Sequence, residues 1–377
     1  MGGYELQALQ LATNQARRGA IAPILLTHAV GSLPLSERGP FGEIQRVAKG
    51  LRRHHPGAAW RELAGSIDIV HAHGLHKLCG QIVEAAAARG IPSVVKVPTA
   101  GNVTDFAAPG SALGPQDGEE AAPRDLRWRL MVATAWRKLR RASCFVAPTS
   151  EIERELKREG LRAEQLPNGV DTQRFVPPTP AQRSAARAEL GLADNAFVAV
   201  SVARLATRKR HSLLLEAWAT GLTQHPRARL LLVGNGPCRS ALETRAARDD
   251  LVGRVQLLGE RTDVRPALHA ADVFLSAAER EGLPNALLEA CAAGLPALAS
   301  ALAAHQGPGR LLVPRNEPEA WSEALRALAD EPARLRELSR PARDGVLPLD
   351  IARVEQRVAE LYARLLSERG ARPTTAP

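Results

Sequence analysis

The sequence predicts an α/β protein of two domains, and three observations support this prediction. The chain has 377 residues, enough for two domains that each bury a sizeable core. A proline-rich linker at residues 177–180 (PPTP) separates two regions in which short apolar strands alternate with helices. Residues 272–299 contain a strand, a loop, a helix and a second strand, which is the repeating unit of a parallel sheet.

This unit begins with residues 272–275 (DVFL), which we interpret as a short buried strand. Pro284 has a place typical of a first helical turn, and residues 285–293 are mostly good helix formers. Gly294 follows where a helix ends on a left-handed residue, and residues 295–299 are apolar again. We therefore expect the loop before this helix to lie at the carboxyl end of a parallel sheet.

Two carboxylates distinguish the unit from a simple scaffold. Glu281 lies in the loop and Glu289 in the helix, and backbone N–H groups near Gly282, Leu283 and Asn285 begin the helix. The positive end of a helix can hold phosphate, and carboxylates accept hydrogen bonds from sugar hydroxyls. The pattern therefore fits a ligand with a sugar, a diphosphate and a ribose. The alternative is that both acids are ordinary solvated residues.

Residues 281–296 (EGLPNALLEACAAGLP) closely resemble the donor-site signature of retaining glycosyltransferases of family 4, which have the GT-B fold. The resemblance implies that Glu281 contacts hydroxyls of the transferred sugar and that Glu289 contacts the ribose. It also implies that Gly282, Leu283, Pro284 and Asn285 line the donor site.

The resemblance further implies two Rossmann-like domains that face each other across a cleft. We expect an N-terminal acceptor-side domain at residues 1–177 and a nucleotide-sugar-binding domain at residues 178–349. The last part, residues 350–377, would be a helix that crosses back to the first domain, followed by a tail.

Two other segments extend the resemblance. Residues 166–175 (LPNGVDTQRF) are similar to the family's PNGVD-x-x-x-F motif. Residues 203–205 with Lys209 are similar to its G-R-L…K segment, although Arg210 replaces the glycine that usually follows the lysine. Arg204 offers a planar fork to phosphate oxygens and Lys209 a point charge. Surface solvation is the alternative for both. The G-N-G turn at residues 234–236 is weak evidence for a nucleotide by itself.

The N-terminal region carries weaker matches. Gly2 and Gly3 stand where the family has a GG-x-E turn that faces the donor diphosphate. The strand that normally precedes this turn is absent from the sequence, so we expect either a misassigned start or a truncation. Residues 68–74 (DIVHAHG) resemble the family's D-hydrophobic-V-H-x-H strand end, so that His73 either has a structural role or lines the substrate. His71, His73 and His76 lack a completing carboxylate or cysteine, so we expect no metal.

Two departures point to a second interpretation. Pro98 occupies the position at which the family commonly has a histidine beside the donor sugar. Lys96, Thr99 or Asp105 would line the acceptor pocket instead, and the alternative for each is a purely structural place in the loop. Residues 301–309 form a shorter loop than in the family. These departures and the absent strand favour a catalytically impaired GT-B pseudoenzyme or binding subunit. A nucleotide-sugar epimerase on the same fold has no specific support.

Composition limits the partners and the compartment. The net charge of +10 suits acidic partners such as nucleotide sugars or anionic lipid. Aromatic residues make up only 3%, and no nucleic-acid motif is present, which argues against nucleic acid. The basic helix predicted at residues 126–141 is either a solvated face or a peripheral membrane contact. Four isolated cysteines, with no secretory leader or membrane-spanning run, indicate the cytoplasm or the inner face of the cell membrane.

The function predicted from the sequence is therefore that of a glycosyltransferase. It would move a sugar from a nucleotide-diphosphate sugar to an acceptor hydroxyl, with retention at the anomeric carbon and with neither metal nor other cofactor. A saccharide, a lipid-linked molecule or a small molecule would serve as the acceptor. The predicted catalytic residues are Glu281, Arg204, Lys209 and His73.

Overall fold

The computed structural model describes residues 3–19, 21–28, 36–39, 42–47, 60, 65–107 and 126–370. These residues form two compact units. The first unit contains the described residues up to Gly169 together with the segment from Ile351 onward, and the second unit is Val170–Asp350.

The described residues of the first unit form two sheets. In one, strand β1 is parallel to β3 and β3 is antiparallel to β2. In the other, β4, β5, β6 and β7 are parallel neighbours in chain order. The strands are β1 (Ile24–His28), β2 (Ser36–Gly39), β3 (Gly42–Val47), β4 (Val70–His73), β5 (Ser93–Lys96), β6 (Cys144–Ala147) and β7 (Ala163–Gln165). The helices are α1 (Gly3–Arg18), α2 (Lys77–Ala87), α3 (Asn102–Ala107), α4 (Leu126–Leu139), α5 (Ser150–Arg158) and the last helix of the chain, Ile351–Gly370.

The last helix belongs to the first unit, although it follows the second unit in the chain. Its apolar stripe of Val358, Leu361 and Leu365 packs in one buried cluster with Val94 of β5 and Val146 of β6. The spacing of three and four residues places these side chains on one helical face. The expected return of the C-terminal helix to the first domain is confirmed.

The second unit is a six-stranded parallel sheet in the order β10-β9-β8-β11-β12-β13. Its strands are β8 (Val198–Val202), β9 (Arg229–Val233), β10 (Val255–Gly259), β11 (Val273–Ser276), β12 (Ala297–Ser300) and β13 (Arg310–Val313). Its helices are α6 (Pro180–Glu189), α7 (His211–Gly221), α8 (Arg239–Ala246), α9 (Arg265–Ala270), α10 (Asn285–Ala292), α11 (Pro318–Asp330) and α12 (Pro332–Asp344), and the helix Ile351–Gly370 is α13.

The central strands of this sheet are buried on both faces. Val198 and Val200 of β8 lie in one core cluster, whereas Ala199 between them lies in the other. Strand β9 shows the same alternation, with Leu231 in the first cluster and Leu232 in the second. Apolar residues therefore predominate on both faces of these strands, as in parallel sheets covered by helices on both sides.

The strand order reverses direction between β8 and β11, which is the Rossmann pattern. Chain order runs outward from β8 through β9 to β10 on one side, and from β11 through β12 to β13 on the other. The loops after β8 and β11 therefore begin side by side at the carboxyl edge of the sheet. In open parallel sheets this edge is where ligands bind.

The ends of α10 differ slightly from the prediction. Pro284 has φ −70° and ψ 121° and caps the helix, so it precedes the first turn instead of lying within it. Gly294 has φ +74°, which confirms the expected left-handed residue. The amide of Leu295 then donates to the carbonyl of Ala290, which closes the helix. Strand β12 therefore begins at Ala297, two residues later than expected.

Candidate functional site

The loops that follow β8 and β11 are joined by hydrogen bonds. The Glu279 amide donates to the Arg208 carbonyl at 2.9 Å. The Arg210 guanidinium donates to the Glu279 carboxylate at 2.8 Å. The first loop carries Arg204 and Lys209 and the second carries Glu281, so three residues predicted to be catalytic lie on adjacent loops at the reversal point of the sheet.

Lys209 and Glu281 form an ion pair through Nζ and Oε1. Their side chains are 15% and 9% exposed, so most of the water around both charges has been removed. Lys209 is held in a short 3₁₀ turn, Thr207–Lys209, and Glu281 lies three residues before the cap of α10. The structure thus brings together two predicted residues that are 72 positions apart in the sequence.

Arg210, which stands where the family usually has a glycine, has a left-handed backbone conformation. It has φ +53° and ψ +39° and is the one non-glycine residue with positive φ among the residues that the structure describes. The left-handed conformation costs an ordinary residue roughly 1 kcal/mol. A glycine at this position would adopt the same conformation without this cost.

The G-N-G turn after β9 supports the loop that carries Arg204. A Cβ atom on Gly234 would lie 2.0 Å from the Ala203 carbonyl oxygen, and one on Gly236 would lie 2.5 Å from the Leu205 oxygen. The Leu205 amide also donates to the Asn235 carbonyl at 2.9 Å. Only glycine allows such a close backbone approach. Arg204 itself is exposed at the carboxyl end of β8.

The residues that lead into α10 lie beside this pair of loops. Gly282 is buried, whereas Leu283, Pro284 and Asn285 are partly exposed. Pro284 provides no side-chain hydrogen bond to the first turn of the helix. The backbone N–H groups of this first turn are the ones that the sequence predicts to face the donor phosphates.

Glu289 is half-buried one turn into α10. Desolvation by the surrounding protein raises the pKa of its carboxyl group to about 7, and the opposing influence is the positive charge of Arg174. Arg174 belongs to the PNGVD-x-x-x-F segment, where the Asp171 carboxylate accepts hydrogen bonds from the amides of Gln173 and Arg174. Arg174 is not recognisable as a site residue from the sequence, because only the fold brings it near Glu289.

His73 is the last residue of β4 in the first unit, and its ring lies 4.4 Å from that of His71, centroid to centroid. Burial lowers the pKa of His73 well below its usual range and lowers that of His71 to about 3. His71 Nδ1 lies 2.5 Å from the Tyr362 hydroxyl. Both rings are therefore neutral near pH 7.

Lys96 ends the neighbouring strand β5 and lies with the two histidines around a cavity of about 20 Å³. Burial lowers the pKa of the Lys96 amine to about 8. Thr99 does not line this cavity, and the side chain of Asp105 lies outside the described residues. Of the three residues that we expected to line the acceptor pocket, Lys96 is the one that the structure places beside His73 at this cavity.

The remaining N-terminal predictions have separate outcomes. Gly2 lies outside the described residues and Gly3 is the first residue of α1, so their contact with a diphosphate stays a prediction. His76 caps α2 by accepting from the Cys79 amide at 3.5 Å. Within the described ranges, no group of three or more histidine, cysteine, aspartate or glutamate residues is placed to hold a metal ion.

Helix α4 exposes Leu130 and Met131, 58% and 45% respectively. Both interpretations of this basic helix, as a solvated face and as a membrane contact, stay predictions. No helix in the described part of the chain combines the length and the apolar character needed to cross a membrane.

Comparisons with known proteins cover both units. The model of "Glycosyltransferase Family 4" matches residues 1–174, and that of "Glycosyl transferases group 1" matches residues 196–331. A D-inositol 3-phosphate glycosyltransferase of Actinosynnema mirum is 30% identical over 373 residues, which cover 89% of this chain and 85% of the relative.

Solved structures show the same fold. Sucrose-phosphate synthase from Thermosynechococcus elongatus has a TM-score of 0.79 at 23% identity and covers 98% of this chain and 94% of its own. HepE of Anabaena in complex with UDP-glucose has a TM-score of 0.75 at 20% identity and covers 97% and 96%. At these identities the likeness concerns the fold alone.

Proposed function

The chain belongs to the family 4 glycosyltransferases of GT-B fold, which makes it a transferase that takes a nucleotide sugar as donor, and we propose that it transfers the sugar with retention and without a metal ion. The observation that carries this proposal is the meeting of Lys209 and Glu281 where the sheet order reverses, directly before α10. The acceptor is a hydroxyl group, and the new bond to the anomeric carbon lies on the face that the diphosphate leaves.

Arg204 and Lys209 neutralise the donor diphosphate in this proposal. The bond between the anomeric carbon and the phosphate oxygen breaks during the reaction, and negative charge then grows on the nucleoside diphosphate. Fixed cations and a helix N-terminus stabilise such charge more strongly in the transition state than in the ground state. Two basic side chains and the N-terminus of α10, together with the residues 282–284 that lead into it, therefore supply the positive charge that a metal ion supplies in other transferases.

The glutamates orient the two ends of the donor. Glu281 accepts hydrogen bonds from hydroxyls of the transferred sugar, and its ion pair with Lys209 links the sugar to the diphosphate. Glu289 accepts from the ribose hydroxyls, for which its ionised form is the better acceptor. Holding both ends restricts the anomeric carbon to a reactive position.

We place the acceptor on the first unit, beside the carboxyl ends of β4 and β5, where His73 and Lys96 lie. A neutral imidazole and a buried ammonium can hydrogen-bond to hydroxyl groups of a sugar or another polyol. The relatives fit this class, since the Actinosynnema mirum protein is a D-inositol 3-phosphate glycosyltransferase. A saccharide, a lipid-linked sugar and a small polyol all carry the required hydroxyl.

The test measures release of nucleoside diphosphate from a panel of UDP- and GDP-sugars, with and without saccharide and inositol phosphate acceptors. We expect Glu281→Gln to lower the rate by at least about a hundredfold, as loss of a group that orients the reacting centre does. The matched control is Glu279→Gln in the same loop, since the Glu279 side chain is 49% exposed and pairs with Arg210. We expect the control to stay within about threefold of the wild type.

Three further readouts separate the finer claims. Proton NMR of the first-formed product identifies retention, and activity unchanged by EDTA supports catalysis without a metal. Binding of UDP or GDP with no turnover on any donor would instead identify the binding subunit. Equal losses in the two glutamine variants would contradict the role given to Glu281.

A further inference from the structure

The short segment between β12 and β13 contains a buried histidine that faces the loop of Glu281. His305 ends a 3₁₀ turn, Ala303–His305, and is 0% exposed. Its Nδ1 atom lies 2.8 Å from the Ser300 carbonyl oxygen, and its Nε2 atom lies 3.2 Å from the Ser276 hydroxyl. Because a carbonyl can only accept, Nδ1 carries the proton and Nε2 accepts from Ser276. Both ring nitrogens are thus used within the protein.

The two serines are the last residues of neighbouring strands. Ser276 ends β11 and is followed by the loop of Glu281, and Ser300 ends β12. The Ser300 hydroxyl donates to the Ala278 carbonyl at 2.6 Å, inside that loop. His305 therefore contacts Ser276, from which the loop begins, and Ser300, which binds the Ala278 carbonyl inside the loop.

Polar contacts hold the loop at almost every residue. Each contact comes from a side chain or backbone group of another loop or strand end in the second unit. In chain order they are His305 to Ser276, Asn316 to the Ala277 carbonyl, Ser300 to the Ala278 carbonyl, the Glu279 amide to Arg208, and Lys209 to Glu281.

We propose that His305 is a positioning residue, which acts through Ser276 and Ser300 to fix the carboxylate of Glu281. In this chain the short loop after β12 carries His305 and so stabilises the loop after β11 through hydrogen bonds. The inference rests on the proposed function only for the catalytic role of Glu281, since the bracing itself is a property of the free protein. A rigid ring with one donor and one acceptor on opposite sides joins two strand ends in a single geometry.

Burial explains why the imidazole ring of His305 is uncharged. Desolvation lowers the pKa of His305, and the Ser300 carbonyl and the Glu281 carboxylate oppose that effect. Lys209 and Arg310 are the nearby cations, and both favour the neutral ring. The imidazole therefore keeps the tautomer that the two serines require, and misplacement of a reacting group by 1 Å can cost roughly a hundredfold in rate.

The first arm of the test measures steady-state kinetics on the best donor and the affinity for UDP or GDP. His305→Leu removes both hydrogen bonds at similar volume, and we expect kcat to fall by about tenfold to a hundredfold. The nucleotide Kd should stay within about threefold of the wild type, because Arg204 is untouched. His305→Asn restores an amide donor at the place of Nδ1 and should recover part of kcat. Ser276→Ala removes the Nε2 contact without altering the core.

The second arm does not depend on activity. Hydrogen exchange of the peptide that covers residues 277–284 should be faster in His305→Leu and Ser276→Ala, whereas peptides of β8 and β9 should be unchanged. The matched control is His225→Gln, which removes a histidine that pairs with Asp330 before β9, at the amino end of the sheet. We expect it to change neither the peptide nor the kinetics.

The outcomes are distinct. Unchanged exchange at residues 277–284 in His305→Leu, or an equal loss of kcat and nucleotide affinity, would overturn the positioning role. So would failure of Asn to recover any activity while exchange returns to normal. A wild-type protein that turns over no donor would end the proposed function, and the exchange arm would still decide whether His305 braces the loop.

Discussion

Removal of the Lys209 charge should destabilise the second unit by more than an exposed ion pair can explain. In Lys209→Met the side chain keeps its length, but Glu281 stays 9% exposed with no ammonium beside it. Exposed pairs contribute about 0.2–1 kcal/mol, whereas truncation of one partner of a buried pair costs about 3–5 kcal/mol. With exposures of 15% and 9%, we expect a loss of about 2–3 kcal/mol.

The pair should also be strongly coupled. Glu281→Gln leaves a mostly buried ammonium and should cost about 1–2 kcal/mol, but the double variant leaves no unpaired charge. We therefore expect the double variant to be about 2 kcal/mol more stable than the sum of the single changes predicts. The neighbouring pair of Arg210 and Glu279 provides the control, because its side chains are 35% and 49% exposed. Its coupling should be below about 1 kcal/mol.

Hydrogen exchange at increasing urea is the suitable assay, because a chain of two units need not unfold in one step. Peptides of β8 and β11 report on the second unit, and peptides of β5 and β6 report on the first. Additive effects of the Lys209 and Glu281 changes, or equal coupling in the two pairs, would refute the claim that this ion pair is desolvated and structured in the free protein.

Three other changes have defined outcomes. The pKa of about 7 at Glu289 predicts that donor KM falls as pH rises from 6 to 8, and that Glu289→Gln abolishes this dependence, which steady-state kinetics can test. Burial lowers the pKa of His211 to about 4 from its usual 6.5, so stability is complete above pH 6.5 and is lost as the pH falls toward 4. At pH 5 the loss is about 2 kcal/mol, and urea titration should show that His211→Gln avoids it. Gly234→Ala places a Cβ atom 2.0 Å from the Ala203 oxygen and should cost at least about 2 kcal/mol more than Gly253→Ala, whose Cβ meets nothing within 4 Å.

Each of these has an opposing outcome. A KM that ignores pH in the wild type would contradict the titration of Glu289. Equal acid sensitivity of the wild type and His211→Gln would show that another group controls the loss. Similar stabilities for the two alanine variants would show that the G-N-G turn can move away from the loop of Arg204.

Strongly apolar segments were predictable from the sequence, since their composition allows little else. The sequence predicts strands at residues 144–147, 229–233 and 255–259, and the structure has these bounds, because each is a mostly apolar run between turn residues. Strand β2 (Ser36–Gly39) and the short β7 (Ala163–Gln165) were missed, because neither has an apolar pattern. Tertiary pairing, and not local preference, makes these residues extended.

One missed element did leave a signal. The predicted linker continues directly into α6, where Thr179 and Gln182 form a capping box and Pro180 is the first helical residue. The letters T-P-A-Q announce such a start, but the neighbouring prolines led us to interpret the run as a linker. The prolines alone do not distinguish a linker from the start of a helix, whereas the capping residues Thr179 and Gln182 do.

The identities of the site residues were predictable from the sequence, but the contacts between them were not. A family resemblance identified Glu281, Glu289, Arg204 and Lys209, whereas the ion pair depends on β8 and β11 being neighbours. His305 lay within a loop that we considered only as a shortened segment. Its contacts with two strand ends arise from the sheet order, which local sequence does not encode.

The binding of a nucleoside diphosphate at the carboxyl ends of β8 and β11 is tested most directly by calorimetry with UDP and GDP. Arg204→Gln removes a cation from that edge, and Arg227→Gln removes an exposed arginine before β9, at the opposite edge. A charged hydrogen bond contributes about 1.5–3 kcal/mol, so we predict that Arg204→Gln weakens the tighter nucleotide by about tenfold to a hundredfold. Arg227→Gln should bind as the wild type does. Equal affinities in the two variants would contradict a donor site at this edge of the sheet.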